Sequence, residues 1–268
     1  CTSLIVPTEK VEKIIKSYGV SKDMYVIPTG IDIEKFYRKN YTDEERKELR
    51  KQYDIEDDEF LCIFIGRVAR EKSIDFLIES FSKVEDKKIK LLIVGKGPEL
   101  EDFKVFAKKF NFGNRVIFSG EVPYERVPIY YQIGDLFLNA SISETQGLTF
   151  IEAMASEIAI SARFDDNLKE MFIDRKAGLL YKDTNEFLEN IKTLKKDQEL
   201  VKELKKNALL ISHEFSAESF GDKVEKVYCE TLEGFKKGED FTLFRGKKFI
   251  QQIRSWKGLR APKKGPWS

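Results

Sequence analysis

Five apolar runs constrain this chain more than any other feature. They read FLCIFIG (60–66), KLLIVG (90–95), RVIFSG (115–120), DLFLNA (135–140) and EIAISA (157–162), with stretches of helical length between them. The runs are nearly continuous in apolar residues, and strands of that kind are buried on both faces. Amphipathic helices between such strands supply both coverings and return the chain to the same starting edge. Helices are predicted over 72–84, 98–110 and 124–132, and a fourth is predicted from Gly147. The pattern implies an α/β fold, a parallel sheet with helices on both faces.

The flanks are simpler. Near the start, LIV reads as a strand and Thr8 caps a helix that sets Val11, Ile14, Ile15 and Tyr18 on one face and ends at Gly19. The strand MYVIP, the turn PTGID and a polar stretch from Arg38 to Asp58, read as one helix, lead into the sheet. Charged amphipathic helices follow from Asn185 to about Glu233. The chain opens in mid-pattern without Met, so a fragment whose N-terminal part is absent is expected.

Bulk properties narrow the class. The 268 residues are 41% hydrophobic, yet no run approaches the length of a membrane span. Cys1 to Pro7 is too short for a secretory leader. Cys1, Cys62 and Cys229 follow no metal-ligand spacing, which favours a reduced, cytoplasmic setting. The net charge of +1 conceals two unlike parts. Residues 241–268 carry eight Lys or Arg and no acid, whereas residues 1–240 carry 39 basic and 46 acidic residues.

Ligands of open parallel sheets bind at the carboxyl ends of the strands. That rule selects the loops 66–73, 95–98 and 140–147. In GRVAREKS, Arg67 and Lys72 bracket a loop before a helix, where two cations and free N–H groups form an anion site; a solvated basic loop is an equal alternative. In SETQGLTFIEAMASE, Gly147 lets a phosphate approach the first N–H groups of the next helix. Glu152, beside the apolar stripe of Leu148, Ile151 and Ala155, is costly to bury unpartnered and could accept from a ribose hydroxyl pair. Glu144 in the loop could meet a sugar ring or orient a leaving group. The plainer alternative is one capping and one snorkelling carboxylate. VGKGP (94–98) is too short for a dinucleotide fingerprint. Asp165, Asp166 and the acids of EDDE (56–59) read as solvated rather than metal-binding, and His213, the one histidine, reads as structural.

Taken together, VIPTGIDIEKF, GRVAREKS, VGKGPE, RVIFSGEVP and ETQGLTFIEAMA resemble the C-terminal, donor-binding half of the retaining GT-B glycosyltransferases of family four, over roughly residues 1–232. The resemblance implies a Rossmann-like sheet with the N-terminal acceptor domain largely missing. Residues 1–38 would end that domain and link it to the donor domain, 39–212. Residues 213–240 would form a returning helix, and 241–268 a basic aromatic tail. It places Arg67, Lys72, Gly147 and Leu148 on the donor diphosphate, Glu152 on the ribose and Glu144 on the transferred sugar as the catalytic carboxylate. Ser143, Thr145 and Gln146 fall in the sugar loop. It implies no metal and no cofactor, the sugar nucleotide being a substrate. The chain departs from many relatives at Ser73, where they have glycine, at SEIAI, where they have Gly-x-Pro-Val, and at Asp165-Asp166, where they have a glycine pair.

IVPTEK, YGV, VIPTGID and ARFDD look most like bacterial glucosyltransferases acting on diacylglycerol. The expectation is transfer of glucose from UDP-glucose to a lipid or glycan hydroxyl by a peripheral enzyme of the inner face of the plasma membrane. An anionic membrane surface would engage Phe244, Phe249, Trp256, Trp267 and the tail's cations. A disordered basic tail or RNA contact is the alternative, with no nucleic acid partner expected. Rival functions are a non-catalytic nucleotide-sugar-binding or membrane-tethering module, and an epimerase or phosphorylase on the same fold. With its acceptor half missing, the chain is expected to bind donor but to turn over little.

Overall fold

The computed structural model describes residues 3–142 and 146–236. It contains two parallel sheets. The smaller pairs β1 (Ser3–Val6) with β2 (Asp23–Val26), joined by α1 (Glu9–Ser17). Thr8 caps α1 by accepting from the Val11 N–H at 3.3 Å, and Gly19, with φ +82°, ends the turn beyond it. None of α1's residues is buried, and Tyr18 stays 79% exposed. Two short strands offer too little surface to cover the face that the spacing predicts.

The larger sheet holds β3 (Phe60–Ile65), β4 (Ile89–Val94), β5 (Val116–Gly120), β6 (Leu136–Asn139), β7 (Ala159–Arg163) and β8 (Leu179–Tyr181). All are parallel, in the order β5-β4-β3-β6-β7-β8. Along β3 the side chains alternate between two cores. Leu61, Ile63 and Ile65 join one with α2 (Asp43–Gln52), α5 (Val127–Ile133), α6 (Leu148–Ala155) and α8 (Gln198–Ser212). Cys62 and Phe64 join the other with α3 (Ile74–Phe81), α4 (Leu100–Ala107) and α7 (Thr184–Lys196). Burial of both faces explains the unbroken apolar runs. Ile33 and Phe36, from the segment after β2, also enter the first core.

Several boundaries differ from the sequence reading. The polar stretch 38–58 holds a 3-10 turn at Arg38–Asn40 and then α2, not one helix. Thr42 and Glu45 close a capping box that starts α2 afresh, and Asp54, at φ +52°, follows its end. The helix expected from Lys72 begins at Ile74, because Ser73 is left-handed with φ 48°. The helix expected over 98–110 shortens to α4 and a 3-10 turn, ending at left-handed Asn111. β8 was not anticipated: its three residues are too few to show a period. The last helix among the described residues, α9 (Ala217–Lys236), begins where Ser216 bridges Ile31. Among the described residues, no helix is long and apolar enough to cross a membrane.

Candidate functional site

Strand order reverses between β3 and β6: β4 and β5 lie to one side of β3, β7 and β8 beyond β6. Such a switch point, at the carboxyl edge of the sheet, is where open parallel sheets take their ligands. The loops leaving these two strands carry Arg67 and Lys72 on one side and Gly147 on the other.

The β3 loop is braced by its neighbour after β4. Val68 donates to the Lys96 carbonyl at 2.9 Å, and the Glu99 N–H donates to the Val68 carbonyl at 3.4 Å. A Cβ on Gly97 would lie 2.0 Å from the Val68 oxygen, and one on Gly95 2.0 Å from the Gly66 oxygen. VGKGP is thus a close-packing turn whose glycines let two loops touch. Arg67 is 67% exposed and 3.9 Å from Glu71, a surface pair of small worth. Lys72 ends the 3-10 turn that leads through Ser73 into α3.

On the other side, Gly147 is the N-cap of α6 with φ 69°, and it has no side chain to cap the first turn. A Cβ there would be both left-handed and 2.6 Å from the Phe150 ring. Leu148 is 38% exposed at the helix start. Gln146 is tied across the molecule: its amide accepts from the Thr29 N–H at 2.9 Å and donates to the Thr29 carbonyl at 2.8 Å. That turn is itself anchored to α9, since Ile31 donates to Phe215 and accepts from Ala217. Gly30 fits there for want of a side chain, because a Cβ would meet that of Phe220 at 2.5 Å. PTGID therefore fastens the site loop to the C-terminal helix, a role not visible in the sequence. Ser143, Glu144 and Thr145 lie outside the described residues, as does the tail 241–268.

Glu152 is 8% exposed on α6. The buried Tyr131 hydroxyl donates to its Oε2 at 2.9 Å. Burial pushes the Glu152 carboxyl above the usual carboxylate range, and hydrogen bonding from Tyr131 and Tyr124 opposes that rise. The phenol of Tyr131 is in turn pushed well above its ordinary value by burial and by the Glu152 charge. Sequence reasoning named neither tyrosine; its one available signal was a carboxylate on an apolar helix, which calls for a buried donor.

Three further polar groups were missed. Arg163, at the end of β7, lies over the Phe76 ring at 4.6 Å, and Phe76 stacks on Tyr181. The hydroxyl of Ser141, buried at the head of the β6 loop, and the Oε2 of Glu99 have no hydrogen-bond partner among the described residues. His213 lies beside the Tyr37 ring, 6.2 Å away. Among the described residues, no three His, Cys, Asp or Glu side chains gather as a metal ligand set. The loop after β3 thus supplies cations, and α6 a left-handed start and a buried carboxylate, groups of the kinds that bind an anion and a hydroxyl pair.

Comparison with known proteins identifies the family and the fold. Residues 45–210 match the pattern of the group 1 glycosyl transferases. The alpha-monoglucosyldiacylglycerol synthase of Acholeplasma laidlawii is 32% identical over 241 residues, 87% of this chain and 59% of that protein. The synthase of the same name from Streptococcus pneumoniae is 33% identical over 234 residues, 85% of this chain and 52% of that protein. The chain thus spans little more than half the length of either relative. Anabaena HepE, solved in complex with UDP-glucose, superposes with a TM-score of 0.77 at 18% identity, over 86% of this chain and 64% of that one. At that identity the likeness concerns the fold alone, a Rossmann-like half of a GT-B architecture.

Proposed function

The chain belongs to the group 1 glycosyl transferases, and we propose that it forms the donor-binding half of an enzyme transferring glucose from UDP-glucose to a lipid or glycan hydroxyl with retention. The observation that carries this reading is the buried, phenol-held Glu152 on a helix whose uncapped start lies at the switch point of the sheet. Glu152 accepts from the two ribose hydroxyls. Arg67, Lys72 and the N–H groups of Gly147 and Leu148 take the diphosphate, whose negative charge grows as the sugar leaves. Cations and a helix start neutralise that charge without a metal. Glu144 serves the transferred sugar, with Ser143, Thr145 and Gln146 beside it in the loop.

The two synthases named above support glucose as the sugar and diacylglycerol as the acceptor class. A basic, aromatic 241–268 segment suits the anionic cytoplasmic face of a membrane, where such an acceptor resides. Donor binding is assigned to this chain, with little or no transfer by it alone.

Calorimetric titration with UDP, GDP and ADP in EDTA tests the reading, with the Arg67→Ala/Glu152→Ala double variant as control. Selective UDP binding that the double variant abolishes is expected. No binding to any of the three nucleotides, or undiminished binding by the double variant, would overturn the site.

A further inference from the structure

We propose that Tyr131 is a positioning residue for donor binding: its buried phenol holds the Glu152 carboxylate as the acceptor of the ribose hydroxyl pair. The inference rests on the donor-site reading above and adds to it a residue from another element, 21 positions earlier in the chain.

The geometry sets Tyr131 apart from a core aromatic. Its ring is fully buried, edge-on to Phe36 at 6.0 Å and tilted against Phe137 at 5.5 Å. A phenylalanine would fill that space equally well, so the hydroxyl has to be explained separately. It lies 2.9 Å from Glu152 Oε2 and 3.3 Å from the Thr149 carbonyl. The adjacent Tyr130 provides the contrast, since its hydroxyl pairs with that of Tyr53 at 2.9 Å, away from any carboxylate. A packed ring cannot follow its partner, so the phenol restricts Glu152 to one orientation. An ionised carboxylate has about four acceptor positions, and the two phenols, Tyr131 and Tyr124, leave about two for a ligand.

The groups around Glu152 decide the sign of the pH effect. Tyr131 comes from α5, and Tyr124 from the turn before it. Asp32, from the segment before Ile33, acts on Tyr124 rather than on Glu152. On α8, Ala208 and Ile211 join the core that also holds Phe150 and Ile151, while the pKa of Lys205 is lowered first by burial and then by Arg38, with Asp135 and Glu157 opposing. Burial raises the Glu152 carboxyl and the phenols hold it down. Removing the Tyr131 donor therefore raises it further. The charged acceptor is then lost at a higher pH as the solution is acidified.

The test is UDP binding by the whole chain across pH, comparing wild type, Tyr131→Phe and Glu152→Gln. Losing a hydrogen bond to a charged group should weaken Tyr131→Phe about tenfold at about pH 5.5 and less than about threefold at about pH 8. Glu152→Gln should bind weakly at every pH. A Tyr131→Phe profile parallel to wild type, unchanged or uniformly weaker, would sink the positioning role while leaving the donor site intact. Wild type that binds no UDP, or Glu152→Gln that binds normally, removes the donor-site reading and this proposal together. Should Tyr131→Phe not fold, proton NMR of wild type decides. The proposal requires a downfield, slowly exchanging Tyr131 hydroxyl that shifts as Glu152 is protonated; an unresponsive signal overturns it.

Discussion

Two groups of helices in this chain start in opposite ways. α1, α2, α7 and α8 begin at extended or turn residues whose side chains accept from the first turn: Thr8, Thr42, Asp183 and Asp197. α3 and α6, which follow β3 and β6, begin at left-handed residues, Ser73 and Gly147, with no side-chain cap. A cap satisfies free N–H groups internally and is worth about 1 kcal/mol. Its omission leaves those donors and the positive end of the helix dipole for something external. α4 and α5 also start without a side-chain cap, so what sets α3 and α6 apart is the left-handed residue at the start of each, a conformational cost placed beside the switch point and common at functional sites. Glu152 fits it, since the folded chain bears a carboxylate that burial disfavours in its charged form.

The contrast can be broken at either end. The largest effect is expected from Gly147→Ala, which forces a side chain into the left-handed region and against the Phe150 ring. Thermal unfolding should show a loss of about 1–2 kcal/mol, and UDP affinity should fall with it. Asp183→Ala removes a cap that accepts from Asn185 and Glu186. A loss of about 1 kcal/mol with unchanged UDP affinity is expected; a change in affinity would blur the distinction between the two groups. The smallest effect is expected at Ser73→Gly. Relief of the left-handed residue outweighs the extra unfolded-state entropy, for a gain of about 0.5 kcal/mol by denaturant titration.

The last prediction also explains two departures from the family pattern. Ser73, where many relatives have glycine, has φ 48°, and Glu157, in the segment that stands for Gly-x-Pro-Val, has φ 54°. Both backbones keep a conformation that suits glycine while the residues have changed. What the sequence shows as a chemical difference is, in the fold, a modest conformational strain.

Much of the architecture was legible because its signals are local. Apolar runs and helical periodicity lie within windows of a dozen residues, so β3 to β7 and the loops between them could be read directly. The length of α2 could not, since a capping box restarted the helix inside a uniformly polar stretch. β8 could not either, because three residues have no period. Arg67, Lys72, Gly147 and Glu152 could be named from motif and position, but their partners could not. Tyr131 lies 21 residues from Glu152, and Thr29 lies 117 from Gln146.

The sequence by itself thus determined a parallel sheet covered on both faces and the loops that hold its polar motifs, because burial of each strand is written in that strand's own residues. Only the tertiary structure decided the strand order that sets the switch point between β3 and β6 and the phenol that meets Glu152. It alone also decided the fastening of the site loop to the turn at Thr29. Those depend on contacts between distant segments, and such contacts form only when the whole chain has packed.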